Sequence, residues 1–173
     1  MPEGGSMDWI DDFSAAWARE YPDAADTSSL LLVSRLARMS VLIDAFQREV
    51  LEPFGLTPSD YAVLAALRRA GSPYQLAPSR LYSGLERSSG GMTKMLKRLE
   101  NLECVERTPD PADGRSILVR LTPTGIGVEE DVFKAFLAAT HDLLTKVFSP
   151  GRLEAIDESL RSLLDAIEAH FYR

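Results

Sequence analysis

The residues best suited to chemistry in this chain lie along one predicted amphipathic helix, which begins at Ser88 or Ser89 and ends near Leu102. Its apolar stripe consists of Met92, Leu96 and Leu99. Its opposite face carries small, hydroxyl and cationic residues, namely Ser89, Gly90, Thr93, Lys94 and Lys97, and Ser88 at its start is a further candidate for DNA contact. Small and hydroxyl side chains permit close approach to phosphates and base edges, lysines add cationic contacts, and a helix N-terminus favours anions. The pattern therefore predicts that this face contacts DNA.

Two arginines outside that set are further candidates for DNA contact. Arg115 follows Asp113-Gly114, which is a signal for the tight turn of a β-hairpin. An arginine at such a tip is placed to enter a narrow minor groove. Arg98 leaves two interpretations open, because its guanidinium can contact a phosphate or brace the hairpin through Asp113.

The elements that must position these residues are mostly helical. Apolar residues recur at helical spacing, and the predicted helices span about residues 8–21, 28–52, 58–69, 78–85, 88–102, 124–148 and 150–171. The pattern alternates at residues 105–108 and 117–121, which predicts two strands. Thr57-Pro58 and Thr122-Pro123 are signals for capped helix starts. A helix, a short helix, a capped helix and a hairpin in this order predict a winged helix-turn-helix in a mainly α fold.

The last predicted helix has an apolar stripe that is close to a heptad pattern. The stripe consists of Leu153, Ile156, Leu160, Leu163, Ile167 and Phe171. Such a stripe packs either against the rest of its own chain or against a partner helix, and the residues alone leave both arrangements open.

Net charge bears on the DNA prediction, because the chain of 173 residues carries 19 Lys and Arg against 26 Asp and Glu, a net charge of −7. This balance argues against a protein that binds nucleic acid by bulk charge alone. The charge is uneven, however. Residues 1–28 hold seven acidic residues and one basic residue, whereas residues 72–120 hold eight basic and six acidic ones. The predicted reading helix and hairpin therefore lie in a locally basic segment of an acidic chain.

Other classes of protein find little support in the sequence. A single cysteine, Cys104, excludes an internal disulfide framework, and His141 and His170 have no nearby cysteines. No phosphate-binding glycine loop, His-Glu-x-x-His or Gly-x-Ser-x-Gly motif is present, so we expect no enzyme, cofactor or metal site. We find neither a membrane-spanning apolar run nor a secretory signal, so we expect a cytoplasmic protein without a membrane partner.

Several short motifs together resemble the MarR family of transcription regulators. They are Ser-Gly-Gly-Met-Thr-Lys at 89–94, Arg-Leu-Glu at 98–100, Glu-Arg at 106–107, Asp-Pro-Ala-Asp-Gly-Arg at 110–115 and Leu-Thr-Pro-Thr-Gly at 121–125. The resemblance spans residues 30–171, and the hairpin with its Leu-Thr-x-x-Gly exit is its most specific part. It implies a homodimer that reads a pseudo-palindromic operator in double-stranded DNA with two recognition helices. We expect a repressor that leaves its operator when a small-molecule effector binds to it.

The resemblance also divides the chain, with one departure from the family pattern. The resemblance implies that the first and last helices of the family fold form a helical dimerisation region, at residues 29–54 and 124–173. Residues 55–123 form the winged helix-turn-helix, and residues 1–28 form an N-terminal extension. Glu103 stands where the family usually has the glycine that ends the recognition helix, so we expect that end to differ locally.

The N-terminal segment narrows the resemblance further. Residues 16–23 are similar to the extra helix of a branch of the family that includes urate-responsive regulators. The effector-pocket residues implied by that resemblance are Trp17, Tyr61, Lys94 and Arg107. Ala62 stands where the branch has a carboxylate, which argues against urate itself and leaves a small anionic or aromatic effector as the expectation. The alternative left open is a dimeric small-molecule binding protein that does not read DNA, which the acidic net charge would suit.

Overall fold

The computed structural model describes residues 9–21, 23, 28–84, 89–111, 113 and 116–172. The chain forms two compact units, Met1–Glu49 and Val50–Arg173. The α-helices and strands within the described residues are α1 (Trp9–Glu20), α2 (Ser28–Leu51), α3 (Pro58–Arg69), β1 (Gln75–Leu76), α4 (Pro78–Gly84), α5 (Ser89–Asn101), β2 (Val105–Pro109), β3 (Ile117–Leu121), α6 (Pro123–Thr145) and α7 (Pro150–Phe171), and a 3-10 helix (Glu52–Phe54) follows α2. This confirms the predicted fold class, mainly α with a small hairpin sheet.

The first unit contains α1 and most of α2. The apolar spacing of four residues predicts α1, although its predicted first residue, Asp8, lies outside the described residues. Ile10 of α1 is only 2% exposed. The rings of Trp17 and Tyr21 stack with their centroids 5.3 Å apart. Along α2, many apolar side chains remain exposed, namely Leu30, Leu32, Val33, Met39, Val41, Leu42 and Ile43.

The start of α3 follows from a capping box. Thr57 Oγ1 accepts a hydrogen bond from the Asp60 amide at 3.2 Å, and the Thr57 amide donates to Asp60 Oδ2 at 2.9 Å. Pro58 occupies the first turn, where a backbone donor is not needed. Because these reciprocal bonds satisfy groups that a helix end leaves without partners, the predicted start is confirmed.

A three-stranded antiparallel sheet carries the hairpin, with strand order β1-β3-β2. The two predicted strands are confirmed, and β2 runs one residue further than predicted, to Pro109. The sequence pattern missed a third strand, because Gln75 and Leu76 form β1 by pairing with Arg120 and Val119 of β3. Two residues cannot show the alternation that identifies a strand in a sequence.

The hydrophobic core of the second unit lies beneath α5. Its buried side chains come from α3, α4, α5, the sheet and α6, and include Val63, Leu64, Leu67, Leu81, Met92, Leu96, Leu99, Val119, Leu121 and Val132. The predicted inward stripe of Met92, Leu96 and Leu99 is confirmed, since each is at most 1% exposed. Burial of this stripe fixes the rotation of α5 about its axis and thereby determines which residues face outward.

The end of α5 is a Schellman motif. The Cys104 amide donates to Leu99 O and the Glu103 amide donates to Glu100 O, both at 2.9 Å. Glu103 has a φ of 55°, in the left-handed region that costs an L-residue roughly 1–2 kcal/mol. The expectation that a residue other than glycine changes this helix end is therefore wrong. The backbone keeps the glycine-like conformation and Glu103 adopts it.

The helices α6 and α7 complete the second unit. Thr122 caps α6 as predicted, and α6 ends at Thr145 rather than at Phe148. α7 follows Ser149 as predicted, and none of its residues, all of which the structure describes, is buried. No helix in the described parts of the chain is long and apolar enough to cross a membrane.

Candidate nucleic-acid interface

The outward face of α5 carries three residues that the sequence predicts to contact DNA. Thr93, Lys94 and Lys97 are exposed, while the apolar stripe on the other side of the helix is buried. The two lysines give this face a positive charge that suits phosphate. Contact with DNA stays a prediction, and the structure supplies the exposed cationic face that such contact requires.

The remaining predicted contacts lie at the start of α5 and at the tip of the hairpin. Ser89 and Gly90 are the first two residues of α5, at the end where the helix dipole favours anions. Ser88 and Arg115 lie outside the described residues. Their roles therefore stay predictions.

Arg98, also predicted to face DNA, has two acceptors within the protein. Its Nη2 donates to the carbonyl oxygen of Gly55 at 2.7 Å, and its Nε lies 3.1 Å from Asp60 Oδ2. The interpretation in which Arg98 braces the hairpin through Asp113 is therefore wrong, since the guanidinium contacts the segment around the start of α3. Asp113 accepts a hydrogen bond from the Ser116 hydroxyl.

Asp60 is a residue that sequence reasoning missed. Its side chain is almost fully buried, and Oδ2 accepts hydrogen bonds from the Thr57 amide at 2.9 Å and the Thr57 hydroxyl at 2.7 Å. A buried carboxylate needs such donors to offset its lost hydration. The spacing Thr57-x-x-Asp60 is a capping-box signal that could have identified Asp60. Nothing in the sequence connects it to Arg98.

Among the described residues of the hairpin, Arg107 and Arg120 each form an ion pair. Arg107 Nε on β2 lies 2.5 Å from Glu100 Oε1 at the end of α5. Across the hairpin, Arg120 donates two hydrogen bonds to Glu106, its register partner, at 2.9 and 2.8 Å. These partly exposed pairs contribute little to stability. They connect β2 to α5 and to β3, so the hairpin is joined to the helix that it accompanies.

The end of α5 is also joined to the start of α6. The Thr122 hydroxyl donates to Glu103 O at 2.5 Å and accepts from the Gly125 amide at 2.9 Å. The Thr122 amide donates to Cys104 O at 3.1 Å. A Cβ atom at Gly125 would lie 1.9 Å from Cys104 O, so only glycine fits without a backbone shift. The Leu-Thr-x-x-Gly motif therefore connects the end of α5 to the start of α6 through the hydrogen bonds of Thr122 and the close backbone contact of Gly125.

Tyr61, predicted to belong to an effector pocket, lines an open cleft between α3 and α6. Its ring stacks on Phe136 with centroids 5.1 Å apart, and burial raises the pKa of its phenol. The cleft has a volume of about 410 Å³ and is lined by Tyr61, Ala65, Arg68, Arg69, Glu129, Glu130 and Phe133. The cleft is therefore large enough for a small ligand and is lined by aromatic, aliphatic and charged groups.

An ion pair between a buried carboxylate and a partly exposed arginine forms part of this cleft. Glu129 is 5% exposed, and its Oε2 lies 3.4 Å from Nε of Arg68. The Arg68 guanidinium also covers the ring of Tyr74 at 4.7 Å. Burial raises the pKa of the Glu129 carboxyl, and the nearby Arg68 charge opposes this only in part. Desolvation therefore outweighs charge pairing at Glu129.

The other residues predicted for the effector pocket have different surroundings. Arg107 is engaged in its ion pair on β2, and Lys94 is exposed on α5. Neither is among the described residues that line the cleft beside Tyr61. Trp17 belongs to the first compact unit. A shared role of these residues in binding an effector stays a prediction.

The surroundings of Cys104 suppress thiol chemistry. The side chain is buried, its Sγ lies 3.4 Å from Leu102 O, and burial raises the pKa of the thiol. The reactive thiolate is therefore disfavoured. Among the residues that the structure describes, no group of three or more His, Cys, Asp or Glu could hold a metal ion.

Comparison with known sequences agrees with the motifs. The sequence profile of the MarR family matches residues 54–116. The HTH-type transcriptional regulator PecS of Dickeya dadantii is 32% identical over 161 residues, which cover 93% of each chain. The multiple antibiotic resistance protein MarR of Escherichia coli is 31% identical over 121 residues, or 70% of this chain and 82% of MarR.

Comparison with solved structures extends the similarity to a DNA complex. A mutant of Escherichia coli MarR in complex with operator DNA superposes with a TM-score of 0.67 at 28% identity, covering 82% of this chain and 99% of MarR. AbsC of Streptomyces coelicolor, with a TM-score of 0.68 at 23% identity over 84% of this chain and 97% of AbsC, supports the fold alone. PecS, which matches 93% of this chain, is named as a transcriptional regulator rather than as an enzyme. With the capped helix-turn-helix and its hairpin, these similarities establish that the chain belongs to the MarR family of DNA-binding transcription regulators.

Proposed function

We propose that the chain is a ligand-responsive repressor that binds a pseudo-palindromic operator as a homodimer. One observation carries the DNA-reading part: α5 exposes Thr93, Lys94 and Lys97 on the side opposite its buried stripe. An α-helix with such a face can enter the major groove, where base edges are distinguishable. We assign contact with phosphates and base edges to these three side chains.

Further DNA contacts are assigned to both ends of this region. Ser88, Ser89 and Gly90 surround the start of α5, where small residues and the helix dipole favour phosphate. Arg115 follows the turn of the hairpin and is assigned to the adjacent minor groove. These assignments rest on the chain order and on the family resemblance.

Exposed apolar side chains on α6 and α7 support the homodimer. They are Phe133, Leu137, Leu143, Leu160, Leu164, Ile167 and Phe171, with Val147 in the turn after α6. A large apolar surface on a folded chain marks an interface. A two-fold dimer would also place one recognition helix on each half-site of the operator, as a pseudo-palindrome requires. We propose that residues 29–54 and 124–173 form this interface, while residues 55–123 bind DNA.

The cleft beside Tyr61 supports an effector site. The rings of Tyr61 and Phe133 and the guanidinium of Arg69 are among its lining groups. Such groups suit a small anionic or aromatic molecule, because aromatic rings stack and arginine pairs with carboxylates. Trp17, Lys94 and Arg107 complete the predicted set, and their participation rests on the family resemblance.

Two features support the branch with an extra N-terminal helix. α1 supplies a helix before the first long one. The similarity to PecS covers 93% of this chain, against 70% for Escherichia coli MarR.

In the proposed mechanism, the effector favours a spacing of the two recognition helices that does not match successive major grooves. The affinity for DNA then falls by the ratio of the effector's affinities for the two states. The proposed place of action is the cytoplasm.

The test of DNA reading uses the full chain and a duplex that it selects from a random-sequence library. We expect an enriched pseudo-palindrome whose affinity falls steeply with salt, with a slope of about −0.9 per phosphate neutralised. Lys94→Gln and Lys97→Gln should each reduce that slope by about two, because the homodimer carries each lysine twice. Lys134→Gln, which alters an exposed lysine paired with Glu130 on α6, is the matched control. Failure to enrich any duplex would favour the alternative, a small-molecule binding protein that does not read DNA.

A further inference from the structure

Arg98 and Asp60 connect two helices of the helix-turn-helix that are distant in sequence. Asp60 lies in the first turn of α3, and Arg98 lies in the last turn of α5. One planar guanidinium uses Nε and Nη2 to reach the Asp60 carboxylate and the Gly55 carbonyl oxygen, at 3.1 and 2.7 Å. Two contacts from a rigid group define an orientation, whereas one contact defines only a distance. Arg98 therefore orients α5 relative to the start of α3.

The carboxylate of this pair is buried, which limits what Arg98 can do elsewhere. The Asp60 side chain is 2% exposed, whereas that of Arg98 is 51% exposed. The same Oδ2 also accepts hydrogen bonds from the amide and the hydroxyl of Thr57. If Arg98 left this carboxylate for a DNA phosphate, Asp60 would remain buried without its cation. Removing one partner of such a pair is costly.

We propose that Arg98 and Asp60 are positioning residues for operator binding, which hold α5 at the angle required by the groove. This assignment rests on the proposed reading role of α5. It changes the predicted role of Arg98 from a phosphate contact to a contact within the protein. It also adds Asp60, which has no DNA-facing position, to the residues on which operator affinity depends.

The test compares operator affinity, its salt dependence and pairwise coupling in the full chain. The probe is the duplex selected by the unaltered protein. Arg98→Lys keeps the charge but loses the planar fork, and we expect its affinity to fall about tenfold with an unchanged salt slope. Asp60→Asn should cause a similar loss. The double variant should lose little more than either single variant, because both substitutions remove the same contact.

Controls separate positioning from general stability. Binding is measured well below the unfolding transition and is expressed per folded protein, so a loss of stability alone leaves the affinity unchanged. Arg19→Lys, which alters an exposed arginine in the last turn of α1, outside the proposed dimer and DNA-binding regions, should change neither quantity. If Asp60→Asn does not fold, Arg98→Lys and Arg98→Gln carry the test, because Arg98 is half-exposed.

The opposite result would overturn the positioning role. A phosphate contact predicts that Arg98→Gln reduces the salt slope by about two, one for each protomer, whereas Arg98→Lys and Asp60→Asn keep nearly full affinity. Failure of the underlying function looks different, because Lys94→Gln and Lys97→Gln would then leave operator affinity and its salt slope unchanged.

Discussion

Gly125 approaches the carbonyl oxygen of Cys104 so closely that a side chain cannot fit between them. A Cβ atom at Gly125 would lie 1.9 Å from that oxygen and 2.8 Å from its carbon. Both atoms belong to backbone, so neither can rotate away as a side chain would. The contact sets the distance between the end of α5 and the first turn of α6.

We predict that Gly125→Ala lowers the free energy of unfolding by about 1–3 kcal/mol, the usual cost of overpacking a rigid site. Urea unfolding of the full chain measures this change. Gly127→Ala is the matched control on the same helix, because a Cβ atom there meets nothing within 4 Å. Alanine is the better helix former, so this control should gain roughly 0.5–1 kcal/mol. Equal effects at the two glycines would contradict the close contact.

The Thr122 hydroxyl should contribute more than an ordinary exposed hydroxyl, because it caps α6 and also donates to Glu103 O. We predict that Thr122→Ala costs about 1–2 kcal/mol of unfolding free energy. Ser149→Ala provides the comparison, since Ser149 stands at the N-cap of α7 without a side-chain capping bond. Thermal and urea unfolding of both variants measure the difference. A loss at Ser149 as large as that at Thr122 would show that the capping bond is not the cause.

The parts of the fold that could be predicted from the sequence are those with local causes. The start of α3 follows from Thr57 and Pro58, which act within one turn. The buried stripe of α5 follows from helical spacing, and its exposed lysines follow from the stripe because they occupy the opposite face. The candidate reading face was therefore predictable before any tertiary contact was known.

The parts that could not be predicted depend on pairs that are distant in sequence. β1 exists because Gln75 and Leu76 find partners in β3, and two residues carry no pattern of their own. The sequence leaves the contact of Arg98 open between a phosphate and Asp113, whereas its orientation is set by Asp60 in another helix. Glu103 keeps a left-handed conformation that its type disfavours, because the motif bonds and Thr122 hold the surrounding backbone.

Glu129 should make stability depend on pH in a direction unusual for a carboxylate. Burial raises its pKa above the ordinary value of 4.5, so the folded chain binds this proton more tightly than the unfolded chain does. Ionised Glu129 therefore costs stability near neutral pH. That cost disappears as the pH falls through the folded pKa to below 4.5. We predict that the stability advantage of Glu129→Gln over the unaltered chain shrinks as the pH is lowered through this range.

Urea unfolding at several pH values, from neutral to below 4.5, measures this difference. Glu130→Gln is the neighbouring control, because the hydrogen bond from Lys134 lowers the pKa of the Glu130 carboxyl. Its contribution is present above the unfolded pKa and is lost as the pH falls, so the control should show the opposite sign. The same sign at Glu129 and Glu130 would contradict the effect of burial.

The exposed apolar face of α7 leads to a prediction about assembly. Leu164 is 54% exposed in the single chain, and in the proposed homodimer its side chain would be covered. Leu164→Glu would then bury a carboxylate at a cost of several kcal/mol, which raises the dimer dissociation constant by at least about a hundredfold. Sedimentation equilibrium over a range of dilutions measures this constant. Ser162→Glu adds the same charge at an exposed position two residues away, which faces another side of the helix, and should leave the dimer intact. A chain that is monomeric at every concentration, or a dimer that both substitutions weaken equally, would contradict the proposed interface.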